Sequence, residues 1–592
     1  MTHARTAPLI AFLLALLASL TAHAQTAPEG NAHPQTRLIT EAEDITNPFG
    51  LPNADPAKVP STRAKADLAA AVDLEPLRDL AVFHNGRVKI LDTLARETVF
   101  KLTGRKRYTD TLRGDGDAKP TRVKYDPLFT LLDMAIDPAY YVERPIIGID
   151  YLNLRRELVE LQHPDDKARQ DQELKSGAVS PLMLERFGLR IAQEHSDKEP
   201  MMRALAETDQ ALGLYLNGYA NFVMVAPTSR ELPWLHLSRL PVDAPARRAA
   251  MSLGEAWRAG DAAKVNAAIA TLAAELPRIN AEVYPTSSRS LELTYNKANT
   301  FEWGFWTYCL SLVTLLLAFG TGRRWLAGLG TGLLIAAVGL HAFGFITRCL
   351  IAERFAIQNQ YESMTGLSLF AAAVGLGVML WRRQWLFGAA AAAVGFLVLI
   401  TATQAGIPGQ HIEREAAILN TSVLLKYHVT TVLVSYGLIA LGFVCSLFYL
   451  GTHYFGGKPA PQAVEAAAGG EVPVLAAVAV GDAPTTPRAK LLHDLDTAQL
   501  IVLQLAFWTL GVGILLGAWW ADHSWGRWWA FDSKETWALI TWIIYLIVIH
   551  VRIAAPAKKG LTTAWLSVVG FFMMLWTYFG VNLLLPGLHA YA

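Results

Sequence analysis

Residues 499–553 read QLIVLQLAFWTLGVGILLGAWWADHSWGRWWAFDSKETWALITWIIYLIVIHVRI, two apolar runs with a tryptophan-rich stretch between them. Each run approaches the ~20 apolar residues that a helix needs to cross a bilayer, so the stretch between them falls at a membrane surface. Seven of the chain's 17 tryptophans lie between Trp519 and Trp542. Anchoring at the interface explains a few Trp at helix ends. It does not explain seven interleaved with Asp522, Gly526, Asp532 and Glu535. An aromatic shelf edged with carboxylates and a conformationally permissive glycine suits the docking of a large planar ligand better than simple anchoring.

The same length criterion gives about eight spans over the second half. They are placed near 304–320, 326–348, 363–381, 385–403, 428–450, 499–520, 536–553 and 563–584. The expected fold class is α-helical: a polytopic membrane protein with a further N-terminal domain. A hydrophobic content of 52% against 17% charged residues agrees with a chain that is partly membrane. The net charge of +1 gives no reason to expect a nucleic-acid partner. Arg323-Arg324, Arg382-Arg383, and Arg552 with Lys558-Lys559 fall in alternate loops, which the positive-inside tendency assigns to the cytoplasm.

Residues 1–24 carry Arg5, an apolar run from Ala7 to Leu20 and Ala22-His23-Ala24, the pattern of a secretory signal peptide cleaved after Ala24. An uncleaved anchor is the alternative. Residues 25–72, rich in Pro, Ala and charge, are expected to be a flexible linker. Residues 73–300 are expected to form an exported, mostly α-helical domain, with helical spacing clearest in Glu199–Val225 and Ala244–Leu276. Export of this domain requires the orientation that the basic loops give independently. The expected location is the bacterial cytoplasmic membrane, with the N-terminal domain and the C-terminus on the periplasmic side. Within the membrane domain, 301–592, a cytoplasmic linker is expected at 452–498 and an external loop at 519–537. Cys309, Cys349 and Cys445 form no C-x-x-C pair, which argues against thiol–disulfide exchange or a structural zinc in this chain. His84, His163, His195 and His236 are scattered through the N-terminal half and read as structural or surface residues rather than ligands.

The topology then places the remaining histidines. His428, at the outer end of span five, and His589, beyond the last span, share a face with the Trp-rich loop. Together they could supply two axial nitrogens to a haem iron; the plainer reading is two interfacial histidines that only hydrogen-bond. His550 and His341 lie inside spans, where ionisable groups are costly and usually functional or paired. A second, bilayer-buried haem held partly by His550 is one reading, with His341 as a partner disfavoured by its depth in the outer half of its span. His523, within the shelf, ranks below the flanking pair.

WGRWWAFDSKETWALITWIIYLIVIH (525–550) resembles the "WWD" signature of the haem-handling proteins of cytochrome c maturation, most closely the CcsA-type component of the System II cytochrome c synthase. RFAIQNQYES (354–363), LLKYHVTTVLVSYG (424–437) and GVNLLLPGLHAYA (580–592) are similar to further segments of that family, with Gln358-Asn359 departing from its Pro-led loop. NGRVKILDTLARETVFKLTG (85–104) and LELTYNKANTFEW (291–303) resemble the exported extension of some members.

The resemblance implies haem b as substrate and bound ligand, with His428 and His589 as external iron ligands and His550 in a transmembrane haem site. It implies a CcsB/ResB-type membrane subunit, apocytochrome c and thioredoxin-like thiol reductants as partners. The implied activity is haem export and holocytochrome c synthesis, the covalent attachment of haem to a C-x-x-C-H segment on the outer face. Trp525, Trp528, Trp529, Asp532 and Glu535 are then the expected catalytic set, with Trp520 and Gly526 at the cofactor. Asp532 and Glu535 have an equally good reading as caps of span seven. Arg527, Lys534 and Arg348 are candidates for the haem propionates. A haem exporter or delivery module without ligation activity is the leading alternative, and a redox scaffold the next.

Overall fold

The computed structural model describes residues 45–53, 58–112, 121–407, 409–414, 423–455, 486–554 and 559–585. The chain divides into two compact units between Ala298 and Asn299.

The N-terminal unit is mostly helical, with short antiparallel strand pairs. Helix α1 (Thr62–Ala71) precedes the pair β1 (Ala81–His84) and β2 (Arg87–Ile90), which leads into α2 (Leu91–Thr103). Helix α3 (Pro127–Ile136) starts where the Asp126 carboxylate accepts the Leu128 N–H at 2.9 Å and Pro127 takes the first helical position. All of α3 is buried, so its Asp133 must find partners inside the core. They are the Lys65 ammonium of α1 at 2.7 Å, the Tyr141 hydroxyl at 2.7 Å and the indole N–H of Trp257 at 2.7 Å. Burial pushes the Asp133 carboxyl above its usual range, against the pull of Lys65. Trp257 sits on α4 (Pro245–Arg258), which packs on α5 (Ala262–Glu275).

The expected linker at 25–72 is therefore too long. Phe49 is buried in the core, and Lys65 bridges Asp133 and Asp137, the latter at 2.9 Å, so α1 belongs to the folded domain. The signal segment 1–24 lies outside the described residues. Removing Lys65 would strand two buried carboxylates, a change that costs about 3–5 kcal/mol. Thermal unfolding of the solubilised chain should show Lys65→Ala melting well below wild type, with Lys65→Arg between them. Equal midpoints for wild type and Lys65→Ala would remove this ion network from what holds the domain. Of the histidines of this unit, His195 Nε2 lies 2.9 Å from both oxygens of Glu157, and buried His236 meets the Tyr219 carbonyl at 2.9 Å.

The second unit is a polytopic α-helical membrane protein, with eight helices among the described residues long and apolar enough to span a bilayer. They are α6 (Thr300–Thr321), α7 (Arg324–Ala352), α8 (Gln360–Arg382), α9 (Trp385–Gln404), α10 (Val423–Phe455), α11 (Pro487–Trp525), α12 (Ser533–Ala554) and α13 (Lys559–Leu575). Helix α13 continues through a π-helical turn, Trp576–Gly580, into α14 (Val581–Leu584). Each expected span falls on one of these helices, but α10 and α11 outrun their apolar cores. Helix α11 begins where the Thr486 hydroxyl accepts the Ala489 N–H at 3.2 Å. Its polar first turns are held by Asp496, which takes both guanidinium arms of Arg552 from α12 at 2.6 and 2.7 Å.

The 452–498 linker is thus shorter than expected at both ends, and its central residues, 456–485, lie outside the described ones. The Trp-rich loop shrinks likewise. Helix α11 runs on to Trp525 and ends at Gly526, whose φ of 68° is the left-handed conformation glycine adopts freely. The connection proper is 526–532.

Candidate functional site

Helices α8, α10, α11, α12 and the π turn enclose a cavity of about 260 Å³. The His428, Trp520, Trp529 and Glu535 side chains meet there, joined by Gln358, Gln360, Ser363, Lys534, Thr577 and Tyr578.

His428 is placed by an unusually close approach of α10 to α11. Gly513 and Gly517 of α11 are four residues apart, the small-xxx-small spacing that lets membrane helices bring their backbones together. A Cβ on Gly513 would come 2.7 Å from Val432 Cγ2, and one on Gly517 would come 2.5 Å from the imidazole Cε1 of His428. The ring therefore lies flat against bare backbone. Its Nδ1 is 2.7 Å from the Gly513 carbonyl oxygen, which can only accept, so Nδ1 carries the proton and donates. In the neutral form of the ring the lone pair is then on Nε2. This is the support usual for metal-bound imidazoles, one nitrogen fixed by a carbonyl so that the other can coordinate.

The tryptophans divide. Trp520 is buried at the cavity and meets Trp525 edge-on at 4.9 Å, while Trp529 lines the cavity from the connection. Trp528 is exposed. Trp537 and Trp542 belong to α12, where Trp542 stacks on Phe507 of α11 at 4.9 Å and donates to its carbonyl at 3.2 Å. The Glu535 carboxylate caps the start of α12. The Asp532 carbonyl accepts the Thr536 N–H at 2.9 Å, and the Glu535 carboxylate accepts the N–H groups of Ala530 at 2.9 Å and Asp532 at 3.3 Å. Phe531, between them, is exposed with φ of 56°, a conformation costly for a residue with a Cβ. Glu535 thus holds the connection folded over the cavity.

Arg348, expected at a propionate, is fully buried and engaged elsewhere. It pairs with Glu362 at 3.1 Å and donates to the carbonyls of Gly409 and Gln410, each at 2.8 Å, fixing the connection before α10. The structure does not bring His341 and His550 together. His341 is buried on α7 among Phe301 and Tyr308 of α6, whereas His550 is exposed on α12 with Nδ1 2.8 Å from its own helix's Leu546 carbonyl. His523 is exposed and bonds the Trp519 carbonyl of its own helix at 3.0 Å. His589 lies outside the described residues. Sequence reading missed Gln360, Ser363, Tyr578 and Gly517 at the cavity. The signal for Gly517 was the G-x-x-x-G spacing within GVGILLG, and the Ser363–Tyr578 hydroxyl pair had no sequence signal.

Residues 299–589 match the family model described as cytochrome c assembly protein. Protein NrfI of Wolinella succinogenes is 26% identical over 537 residues, which cover 86% of this chain and 53% of that protein. The chain thus spans about half of that relative's length. The cytochrome c biogenesis protein CcsA of Microcystis aeruginosa is 32% identical over 316 residues, covering 48% of this chain and 95% of the relative. The protein of the same name from Oryza sativa is 44% identical over 108 residues, 18% of this chain and 33% of its own.

Proposed function

The chain belongs to the cytochrome c assembly protein family, and from that premise we propose that it binds haem in the cavity beneath the tryptophan connection and joins it to the C-x-x-C-H thiols of apocytochrome c. One observation carries this reading: the His428 Nδ1–H is committed to the Gly513 carbonyl, in a cavity walled by Trp520 and Trp529. His428, through Nε2, and His589 would hold the haem iron. The indoles fix the porphyrin plane, and the Glu535 carboxylate keeps the connection closed over it.

The bond-forming step is the addition of a thiol across a vinyl group. The sulfur bonds to one carbon, the thiol proton passes to the other, and nothing leaves. Such a step needs chiefly contact between its two reactants, so holding the haem edge still beside an arriving peptide accounts for most of the acceleration. Among the described residues the three cysteines are unpaired thiols on separate helices, so reduction of the substrate cysteines is assigned to separate thioredoxin-like proteins. His550, exposed on α12, is proposed to face a CcsB/ResB-type subunit that completes a transmembrane haem site and passes haem outward. In this reading the protein sits in the bacterial cytoplasmic membrane with the cavity on the periplasmic side.

The test is co-expression with a CcsB/ResB-type subunit and a C-x-x-C-H reporter in cells that lack their own maturation system. Reporter that retains haem on a denaturing gel is the expected result. Haem that co-purifies with the chain while the reporter stays unmodified would replace ligation by haem delivery.

A further inference from the structure

We infer that Gln360, assisted by Gln358, grips the polypeptide main chain of the acceptor protein beside the haem site. The inference deepens the ligation reading and rests on it.

The two glutamines stand on either side of Asn359 at the entry to α8, and the backbone around them is fixed. The Asn359 carboxamide oxygen accepts the Glu362 N–H at 2.8 Å as the helix cap. The Gln358 N–H donates to the Glu362 carboxylate at 3.1 Å. That carboxylate is itself clamped by Arg348 at 3.1 Å and Arg354 at 2.7 Å. With Asn359 committed to the cap, the side chains of Gln358 and Gln360 line the cavity that His428 and Trp529 line from other elements.

Gln360 is only 7% exposed, yet neither its Oε1 nor its Nε2 has a hydrogen-bond partner among the described residues. The buried Oε1 of Gln358 lacks one as well. Buried carboxamides are normally paired at both ends, and a rigid site that leaves them open is arranged for something that arrives. Its chemistry follows from what is missing. A haem propionate offers acceptors only: it would satisfy the Gln360 N–H groups and set its oxygen against the Gln360 Oε1. One residue of an extended peptide presents its own N–H donor and C=O acceptor on the same edge of the main chain, and so can match both ends of Gln360. A second peptide N–H would answer Gln358 Oε1. Recognition of this kind reads the main chain and not the side chains, so it tolerates any residues between the two substrate cysteines.

The test compares wild type with Gln360→Met, close in size and apolar, and Gln360→Glu, equally long but without the N–H donors, in the reporter system above. Two quantities are read from each membrane preparation: haem bound per chain, from the Soret band, and haem attached to the reporter. Both variants should keep haem within about twofold of wild type while reporter modification falls about tenfold, the equivalent of one lost paired hydrogen bond. The deficit should shrink when the reporter is overproduced, as a defect in substrate affinity requires. Bound haem falling in step with reporter modification would overturn the peptide role and assign Gln360 to the haem carboxylates. Unchanged modification in both variants would overturn it too. A wild-type chain that loads haem and never modifies the reporter removes the ligation reading, and this inference with it.

Discussion

His428→Ala should abolish covalent attachment of haem to the reporter, a loss of about a hundredfold or more, while the protein still accumulates in the membrane. The size of the effect follows from how the ring is held. Its Nδ1–H is bound to the Gly513 carbonyl at 2.7 Å, so the orientation of Nε2 is fixed before any ligand arrives. Without the imidazole the cavity keeps its indole walls but loses the nitrogen proposed to bind iron, and in the proposed reading the haem edge is then no longer held where a thiol can reach it. His428→Gly leaves space for free imidazole, and millimolar imidazole should return part of the yield and the wild-type Soret position. A reporter modified at wild-type levels by His428→Ala would dismiss this histidine as an iron ligand.

Gly517→Val is expected to be nearly as damaging, although residue 517 offers no group to the ligand. A single Cβ there would lie 2.5 Å from Cε1 and 2.8 Å from Nδ1 of His428, so the ring must leave the Gly513 carbonyl or the two helices must part. Overpacking of this kind costs about 1–3 kcal/mol, and the helices separate or the ring turns, whichever is cheaper. In both cases Nε2 loses its direction. Gly513→Ala meets a Val432 methyl at 2.7 Å, which can move aside more easily than a ring hydrogen-bonded to the Gly513 carbonyl. The expected order of reporter yield is therefore wild type, then Gly513→Ala, then Gly517→Val, with the Soret band of Gly517→Val shifted toward that of His428→Ala. Gly517→Val with an unshifted Soret band and full yield would show that the close approach of the helices does not position the histidine.

The spans were legible because apolar runs of bilayer length have few other uses, and each run marks a helix of the structure. Their ends were not. The polar turns of α11 around His493, Asp494 and Asp496 have no hydropathy signal, and only the Asp496–Arg552 pairing shows why they stay helical. Trp520, Trp529 and His428 line one cavity, a grouping that the expected alternation of spans allows by giving their segments one face of the membrane. The division of labour within the tryptophan stretch was harder to read. Trp528 and Trp529 are adjacent in sequence, and only the fold of the 526–532 connection turns one to the cavity and the other outward. Asp532 and Glu535 stand in the spacing of a capping box, and the capping reading describes their hydrogen bonds. Arg348 invited assignment to a ligand because it is a cation near a span end; its engagement by Glu362 depends on two helices that sequence spacing does not relate. Gln360 escaped notice because a neutral amide has no periodicity or charge to mark it, and what distinguishes it in the structure is a buried carboxamide whose Oε1 and Nε2 have no hydrogen-bond partner among the described residues.

The π-helical turn at Trp576–Gly580 places Thr577 and Tyr578 at the cavity. Such a turn holds one residue more than the α-helix it interrupts, and one α-helical residue corresponds to about 100° of rotation. It works as a fixed angular offset between α13, packed among its neighbours, and the last turn, Val581–Leu584. The bearing of Val581–Leu584 is thus set by a single supernumerary residue. Deleting one residue from the turn would leave every apolar surface of α13 in place and swing that last helical turn onto a different bearing.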